Sequence, residues 1–285
     1  MAKKVAVITD SMACLTRELV AQYGIRIAPI SLYFGKKTYR DWVDITPDEA
    51  YELFLKDPDA FKTSGSNPQE WLEACRDASR ETDSIVCITL SSKLSAVYES
   101  VLDVKRRLEK ETPGLYIEVI DSQTVTATEG FVALAAARAA EKGQSLSEVV
   151  EAAEEVKKKV ALFAFLETIR HVYRTGRIPK IAALAGSVLS IKPILTVKDG
   201  VVRFVGVVRS RERGIKRMLK KMREMVGKNP VHVAVLHAFA QEEGEKLKKR
   251  VAEEFDCVEL WLTGLSPVMG YATGTGTLGL AYYAD

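Results

Sequence analysis

The sequence predicts an α/β protein of two domains. The first is an N-terminal Rossmann-like parallel sheet with flanking helices over residues 1–158, the second a C-terminal α+β mixed-sheet domain over 159–285. Three observations carry this reading. The first half alternates short apolar runs with helical patterns, as strands covered by helices do. The second half sets Asp199-Gly200 between two β-prone runs, a hairpin signal, and hairpins mixed with helices make a mixed sheet. The 285 residues, at roughly 100–200 per domain, admit one large domain or two medium ones.

In order along the chain, Val5–Ile8 reads as a strand, then Leu15–Tyr23 as a helix stopped by Gly24, then Ile25–Phe34 as a second strand. Thr46-Pro47-Asp48-Glu49 is a helix start, with Thr as N-cap, Pro at the first helical position and Glu at the third; Asn67-Pro68-Gln69-Glu70 repeats it. Ile85–Leu90 is a buried strand, followed by a helix over about 95–110 and a strand over Leu115–Ile120. An Ala-rich helix covers Glu129–Glu141, and Ser145 with Glu148 forms a capping box opening a helix to Lys159. Beyond it come strand Val160–Leu166, the helical pattern Ile169–Arg174, and the hairpin runs Ile194–Val197 and Val201–Val208. A basic amphipathic helix over Arg211–Val226, strand Val231–Leu236, helix Gln241–Phe255 and strand Val258–Leu262 complete the pattern. The two domains are expected to share a substantial interface, with the C-terminal tail free to return to the site between them.

Composition removes several function classes. The net charge of +3 is too balanced for a nucleic-acid footprint. Cys14, Cys75, Cys87 and Cys257 form no C-x-x-C pair, and there are three histidines, so neither a metal site nor a cofactor is expected. Cys87, inside an apolar run, reads as an inert buried thiol. No stretch approaches the ~18 consecutive apolar residues of a membrane span, and MAKKVAVITD lacks the apolar core of a signal peptide. The expectation is a cytoplasmic protein with no stable membrane insertion. No G-x-S-x-G elbow or phosphate-binding P-loop is present, and Gly274, Gly276 and Gly279 match G-x-G-x-x-G only where no βαβ unit can follow. His237, at a strand end, suits a structural hydrogen bond at least as well as catalysis.

Ligands of open parallel sheets bind beyond the carboxyl ends of the strands. Those ends here carry hydroxyls: Thr9-Asp10-Ser11, Thr63-Ser64-Gly65-Ser66, Ser91-Ser92-Lys93-Leu94-Ser95 and Asp121-Ser122. Hydroxyls and helix N-terminal amides hold anionic oxygens without a fixed charge. Ser95 is expected to open a helix, where its hydroxyl and the helix dipole would favour a carboxylate or phosphate. The competing explanation is that each hydroxyl only caps a helix or a turn. A basic group, Arg170, Arg174, Arg177 and Lys180, is either a solvated face or a dock for an acidic partner.

Several of these segments together resemble the DegV family, across nearly the whole chain. Ile8-Thr9-Asp10-Ser11 is similar to the family's opening turn, and Thr63-Ser64-Gly65-Ser66 lies where the family has T-S-Q-P. Ser92 to Tyr98 resembles S-x-L-S-G-T-Y, Gly176-Arg177-Ile178 resembles G-R-I, and Lys192-Pro193-Ile194-Leu195 resembles K-P-I-L. Asp121-Ser122 and the tail Pro267-Val268-Met269-Gly270 through Gly276 match further family segments. The resemblance implies a non-catalytic protein that buries the tail of a long-chain fatty acid such as palmitate, its carboxylate held by Thr63 and Ser95. Ser64, Ser122 and Thr273 would be secondary contacts, and the lipid would be presented to a separate fatty acid kinase; Arg170 and Arg177 of the basic group are the candidate partner-docking residues. Ala272 stands in place of the family histidine, so one expected carboxylate donor is missing. The main alternative is an enzyme acting on a small phosphorylated or carboxylated metabolite at the same strand ends.

Overall fold

A computed structural model describes residues 5–64, 67–169, 171–172, 176–177 and 191–285. The chain runs β1 (Ala6–Asp10), α1 (Arg17–Tyr23), β2 (Arg26–Ala28), β3 (Ser31–Phe34), β4 (Lys37–Arg40), α2 (Pro47–Lys56) and β5 (Phe61–Thr63). It continues through α3 (Pro68–Ala78), β6 (Ser84–Thr89), α4 (Val97–Glu111), β7 (Tyr116–Asp121), α5 (Ala127–Glu141) and α6 (Leu146–Lys159). The rest is β8 (Ala161–Phe165), β9 (Lys192–Lys198), β10 (Val201–Val208), α7 (Arg211–Val226), β11 (Val231–His237), α8 (Gln241–Glu254), β12 (Cys257–Gly264), α9 (Pro267–Thr273) and β13 (Leu278–Ala284).

The strands form three sheets. A parallel sheet has the order β2-β1-β6-β7, a mixed sheet the order β10-β9-β8-β13-β11-β12, and a small antiparallel sheet the order β4-β3-β5. Every residue of β1 is buried, as befits a central parallel strand covered on both faces. Local signals set many boundaries. Thr46 and Glu49 close the capping box of α2, and Ser145 and Glu148 that of α6. Gly24 ends α1 in the left-handed conformation that glycine adopts without a Cβ penalty. Asp199 and Gly200 have φ of +54° and +78°, the paired left-handed residues of a tight hairpin turn between β9 and β10.

The run Ile25–Phe34 is not one strand. It breaks at Pro29, which has no N–H for the ladder and disfavours some conformations of its neighbour. Ala28 ends β2 in the parallel sheet, Ser31 begins β3 in the small sheet, and the intervening Ile30 amide donates to Ser11 Oγ at 3.2 Å. Sequence patterning also did not anticipate β4, β5, α9 or β13. The last is central to the mixed sheet, antiparallel to both β8 and β11. Half of the helical pattern Ile169–Arg174, namely Arg170, Tyr173 and Arg174, lies outside the described residues.

One apolar core runs from the parallel sheet into the mixed one. Ile8, Ile85 and Ile88 share it with Ala234, Leu236, Ala281 and Tyr283. The Ala-rich α5 lies between, with twelve of its residues buried, because small side chains let a helix pack on several faces at once. At its far end Arg138 forks onto Glu259 of β12 at 3.0 and 2.6 Å, and His232 bonds the same carboxylate at 2.6 Å. Burial alone would raise the Glu259 carboxyl, but hydrogen bonds from His232 and Arg138 outweigh it and bring it to about 2. Among the described residues no helix is long and apolar enough to cross a membrane.

The tightest helix-to-sheet approach gives a test. A Cβ on Gly130 of α5 would stand 2.5 Å from the Ala13 carbonyl oxygen and 3.0 Å from Leu15 Cδ2. Gly130→Ala should therefore destabilise the fold by about 1–3 kcal/mol despite the better helix propensity of alanine. A denaturation midpoint equal to or above that of the parent would contradict this packing.

Candidate functional site

Strand order reverses between β1 and β6, and the chain leaves a cavity of about 400 Å³ where their carboxyl ends part. That is within the roughly 300–1,000 Å³ range of small-molecule sites. Met12 and Leu90 line it from the ends of β1 and β6, and Leu195, Val197 and Val202 from β9 and β10. Val268 and Met269 of α9 close another side.

The polar lining comes from both halves of the chain: Lys62, Thr63, Ser64 and Ser95 from the first, Arg177, Thr196, Tyr271 and Thr273 from the second. Thr63 ends β5, with its backbone paired to Leu32; its hydroxyl has no hydrogen-bond partner among the described residues. Ser64 follows, its amide donating to the Ser31 carbonyl at 3.3 Å. After β6 the chain makes a tight turn in which the Ser91 carbonyl accepts the amides of Leu94 and Ser95 at 2.9 and 3.1 Å. This brings Ser95 to the cavity. Ser95 is not the N-cap of α4: Ala96 holds that position, and Ser95 Oγ accepts the Val97 amide at 3.4 Å from one residue further out. As an acceptor in that bond, the hydroxyl keeps its hydrogen for another partner.

The remaining sequence candidates separate. Thr273 lines the cavity, but its hydroxyl donates to the Met269 carbonyl at 2.9 Å within α9. Ser122 is not among the lining residues; it is buried, donating to the Thr124 carbonyl and accepting the Thr124 amide, both at 3.3 Å, as a turn serine does. Arg177, expected on a docking face, is exposed and also lines the cavity, its Nε donating to the Leu94 carbonyl at 3.3 Å. Arg170 lies outside the described residues. Ala272 lines the cavity with its methyl group where a histidine was expected. His237 does not line it and accepts the Ala240 amide at the start of α8. The glycines of the tail cradle protein, not ligand: the Gly276 amide donates to the Ala238 carbonyl at 2.8 Å, and a Cβ on Gly274 would lie 2.5 Å from His171 Cδ2.

Behind the wall lies a group that spacing did not single out. Asp10 is fully buried and accepts the Met12 amide at 2.8 Å and the Leu90 amide at 3.4 Å, so it holds two cavity residues from beneath. Glu129 of α5 accepts the Thr9 hydroxyl at 3.1 Å, and Asp41 accepts the Ser266 hydroxyl at 2.7 Å. Burial pushes Asp10 up to about 7 and Asp41 to about 6, and holds Glu129 well above the usual carboxylate range, with Asp10 beside it adding to the effect.

The sequence profile described as "uncharacterised protein, DegV family" matches residues 4–285. A DegV domain-containing protein of Clostridium perfringens is 31% identical over 280 residues, 98% of each chain. Among solved structures, a DegV family protein from Thermus thermophilus, described for its fatty acid binding, superposes with a TM-score of 0.89 at 27% identity, covering 99% of this chain and 100% of its own. A stearic-acid-binding protein from Eubacterium ventriosum gives 0.87 at 27% identity, covering 100% and 98%.

The buried carboxyls make stability depend on pH. Their folded values lie above the unfolded ones, so the folded state binds protons more tightly. The contribution is complete below about 4 and is lost as pH rises through 6 for Asp41 and 7 for Asp10. At ~1.4 kcal/mol per pKa unit, the loss amounts to a few kcal/mol. Denaturant midpoints should fall between about pH 5 and 7.5. Asp41→Asn, which keeps an acceptor for Ser266, should flatten the part below pH 6. Midpoints that rise over this range would contradict the assignment.

Proposed function

The chain belongs to the DegV family, and from that premise we propose that it binds one long-chain fatty acid, palmitate or a close relative in length. The tail occupies the cavity, and the carboxylate rests on the Thr63 and Ser95 hydroxyls. The observation that carries this reading is a mostly apolar lining, including Met12, Leu90, Val197, Val202 and Val268, with the Thr63 and Ser95 hydroxyls set in it. None of the described lining residues is Asp, Glu, His or Cys, so no carboxylate, imidazole or thiol among them faces the ligand. That composition supports holding over turnover. The fatty acids named for the Thermus and Eubacterium relatives support the same ligand class.

Magnitudes assign the roles. Each buried methylene contributes about 0.8 kcal/mol, so a long tail dominates affinity. A hydrogen bond to a charged head contributes about 1.5–3 kcal/mol, enough to orient it. Arg177, pinned by the Leu94 carbonyl at the cavity, adds a cation near that head and offsets the missing histidine at Ala272. With the carboxylate at the hydroxyl-lined side, the protein acts as a cytoplasmic carrier that presents its lipid to a separate fatty acid kinase.

Fluorescence titration with a fatty-acid probe tests the head site. Thr63→Val with Ser95→Ala should weaken binding by a few kcal/mol at most, leaving the tail term intact. An unchanged dissociation constant would remove both hydroxyls from the site.

A further inference from the structure

The β9–β10 hairpin is only half supported by its sheet. β9 pairs with β8 at Ile194, Leu195 and Thr196, whereas Val197–Val202 pair only within the hairpin. β10 forms the outer edge of the sheet, so no further strand steadies the tip. A two-stranded ribbon is marginal by itself. Its place must come from what the tip touches.

The tip touches the other domain. Ser91 Oγ donates to the Gly200 carbonyl at 2.7 Å in a buried bond, and Lys93 Nζ donates to the Asp199 carbonyl at 2.8 Å at the surface. The seat is close: a Cβ on Gly200 would meet Ser91 Oγ at 2.7 Å and Lys93 Cδ at 3.3 Å. The hairpin also carries Leu195, Val197 and Val202 into the cavity wall. On β10 the register shifts between Phe204 and Gly206, opposite Leu195 and Ile194, and on β9 the ladder to β8 ends just nearer the tip, beyond Thr196. Such a bulge bends a strand locally and gives the ribbon a hinge.

We propose that the tip of the β9–β10 hairpin is the gate through which ligand enters and leaves the cavity, hinged beyond Thr196 on β9 and beside the Phe204–Gly206 bulge on β10, and latched shut by Ser91 and Lys93. The ligand in this statement rests on the fatty-acid reading; the gate rests on the hairpin's own geometry. Opening breaks these two hydrogen bonds and the packing of Val197 and Val202, while β9 stays paired with β8 through Thr196, whose hydroxyl donates to the Leu162 carbonyl at 2.6 Å. It also frees Ser91, whose carbonyl positions Ser95, so closure of the gate and order at the head site are coupled. Lids of this kind commonly open on the microsecond-to-millisecond scale and set release rates.

Stopped-flow displacement of a conjugated polyene fatty acid by excess palmitate reads the gate directly. Ser91→Ala should speed dissociation on the order of tenfold, the effect of losing one buried hydrogen bond, and Lys93→Ala by less because its bond is exposed. The pair Ser91→Cys and Gly200→Cys, made with Cys257→Ser, should oxidise to a disulfide and slow dissociation at least about tenfold, with reductant restoring the parent rate. Rates unchanged by both loosening and cross-linking, with the probe still bound, would overturn the gate. So would a cysteine pair that does not oxidise, since the tip would then not rest on Ser91. Hydrogen exchange separates this from the ligand reading: amides of Lys198–Val202 should exchange faster in Ser91→Ala while those of β6 do not. Equal exchange overturns the latch. A parent protein that binds no probe but shows faster exchange in the variant overturns the fatty-acid assignment and leaves the latch standing.

Discussion

The Ser91 amide donates to the Thr124 carbonyl at 2.8 Å, its carbonyl accepts the amides of Leu94 and Ser95, and its hydroxyl reaches the Gly200 carbonyl of the opposite sheet. One buried residue thus joins the end of β6 to the β7–α5 connection, shapes the turn that carries Ser95, and fixes the hairpin that forms the facing wall. Each bond satisfies a group that would otherwise be buried without a partner, which is costly. The cavity exists because this turn is rigid while the strands beside it part. A ligand of the right shape then recovers apolar contact that the fold leaves unfilled, and binding stabilises the closed state by mass action.

The wall is apolar on its cavity side and polar behind. Asp10 holds Met12 and Leu90 by their amides, and burial, not function, accounts for its raised pKa. Perturbed carboxyls are often taken as catalytic signs. Here they lie outside the described cavity lining, whose side chains are aliphatic groups, methionines, hydroxyls including that of Tyr271, and two cations, Lys62 and Arg177. An anionic head over a water-poor apolar chamber suits such a surface, because hydroxyls supply hydrogen bonds without a desolvated countercharge.

Local features of this fold were legible in the sequence because short-range chemistry sets them. The capping boxes at Thr46 and Ser145, the stop at Gly24 and the hairpin turn at Asp199-Gly200 all appear where spacing placed them. The run Ile25–Phe34 misled because its strands are equally apolar, and only Pro29 marks the break. The central strand β13 was invisible because its identity comes from partners over 100 residues earlier in β8 and over 40 earlier in β11. Hydroxyls at strand ends look alike in sequence. Ser122 spends its hydroxyl on Thr124, whereas Thr63 and Ser95 stand at the cavity, and only the direction of each turn distinguishes them. The basic run likewise did not show that Arg177, though exposed, stands at the rim of the cavity.

The account centres on an acyl chain filling the chamber beneath Thr63 and Ser95, and that claim can be read without any added ligand. Protein purified from cells, extracted with organic solvent and examined by mass spectrometry, should release a long-chain fatty acid in near-stoichiometric amount, and the Thr63→Val, Ser95→Ala protein distinctly less. Extracts that repeatedly hold no fatty acid, from protein that also takes up none when it is supplied, would contradict the account.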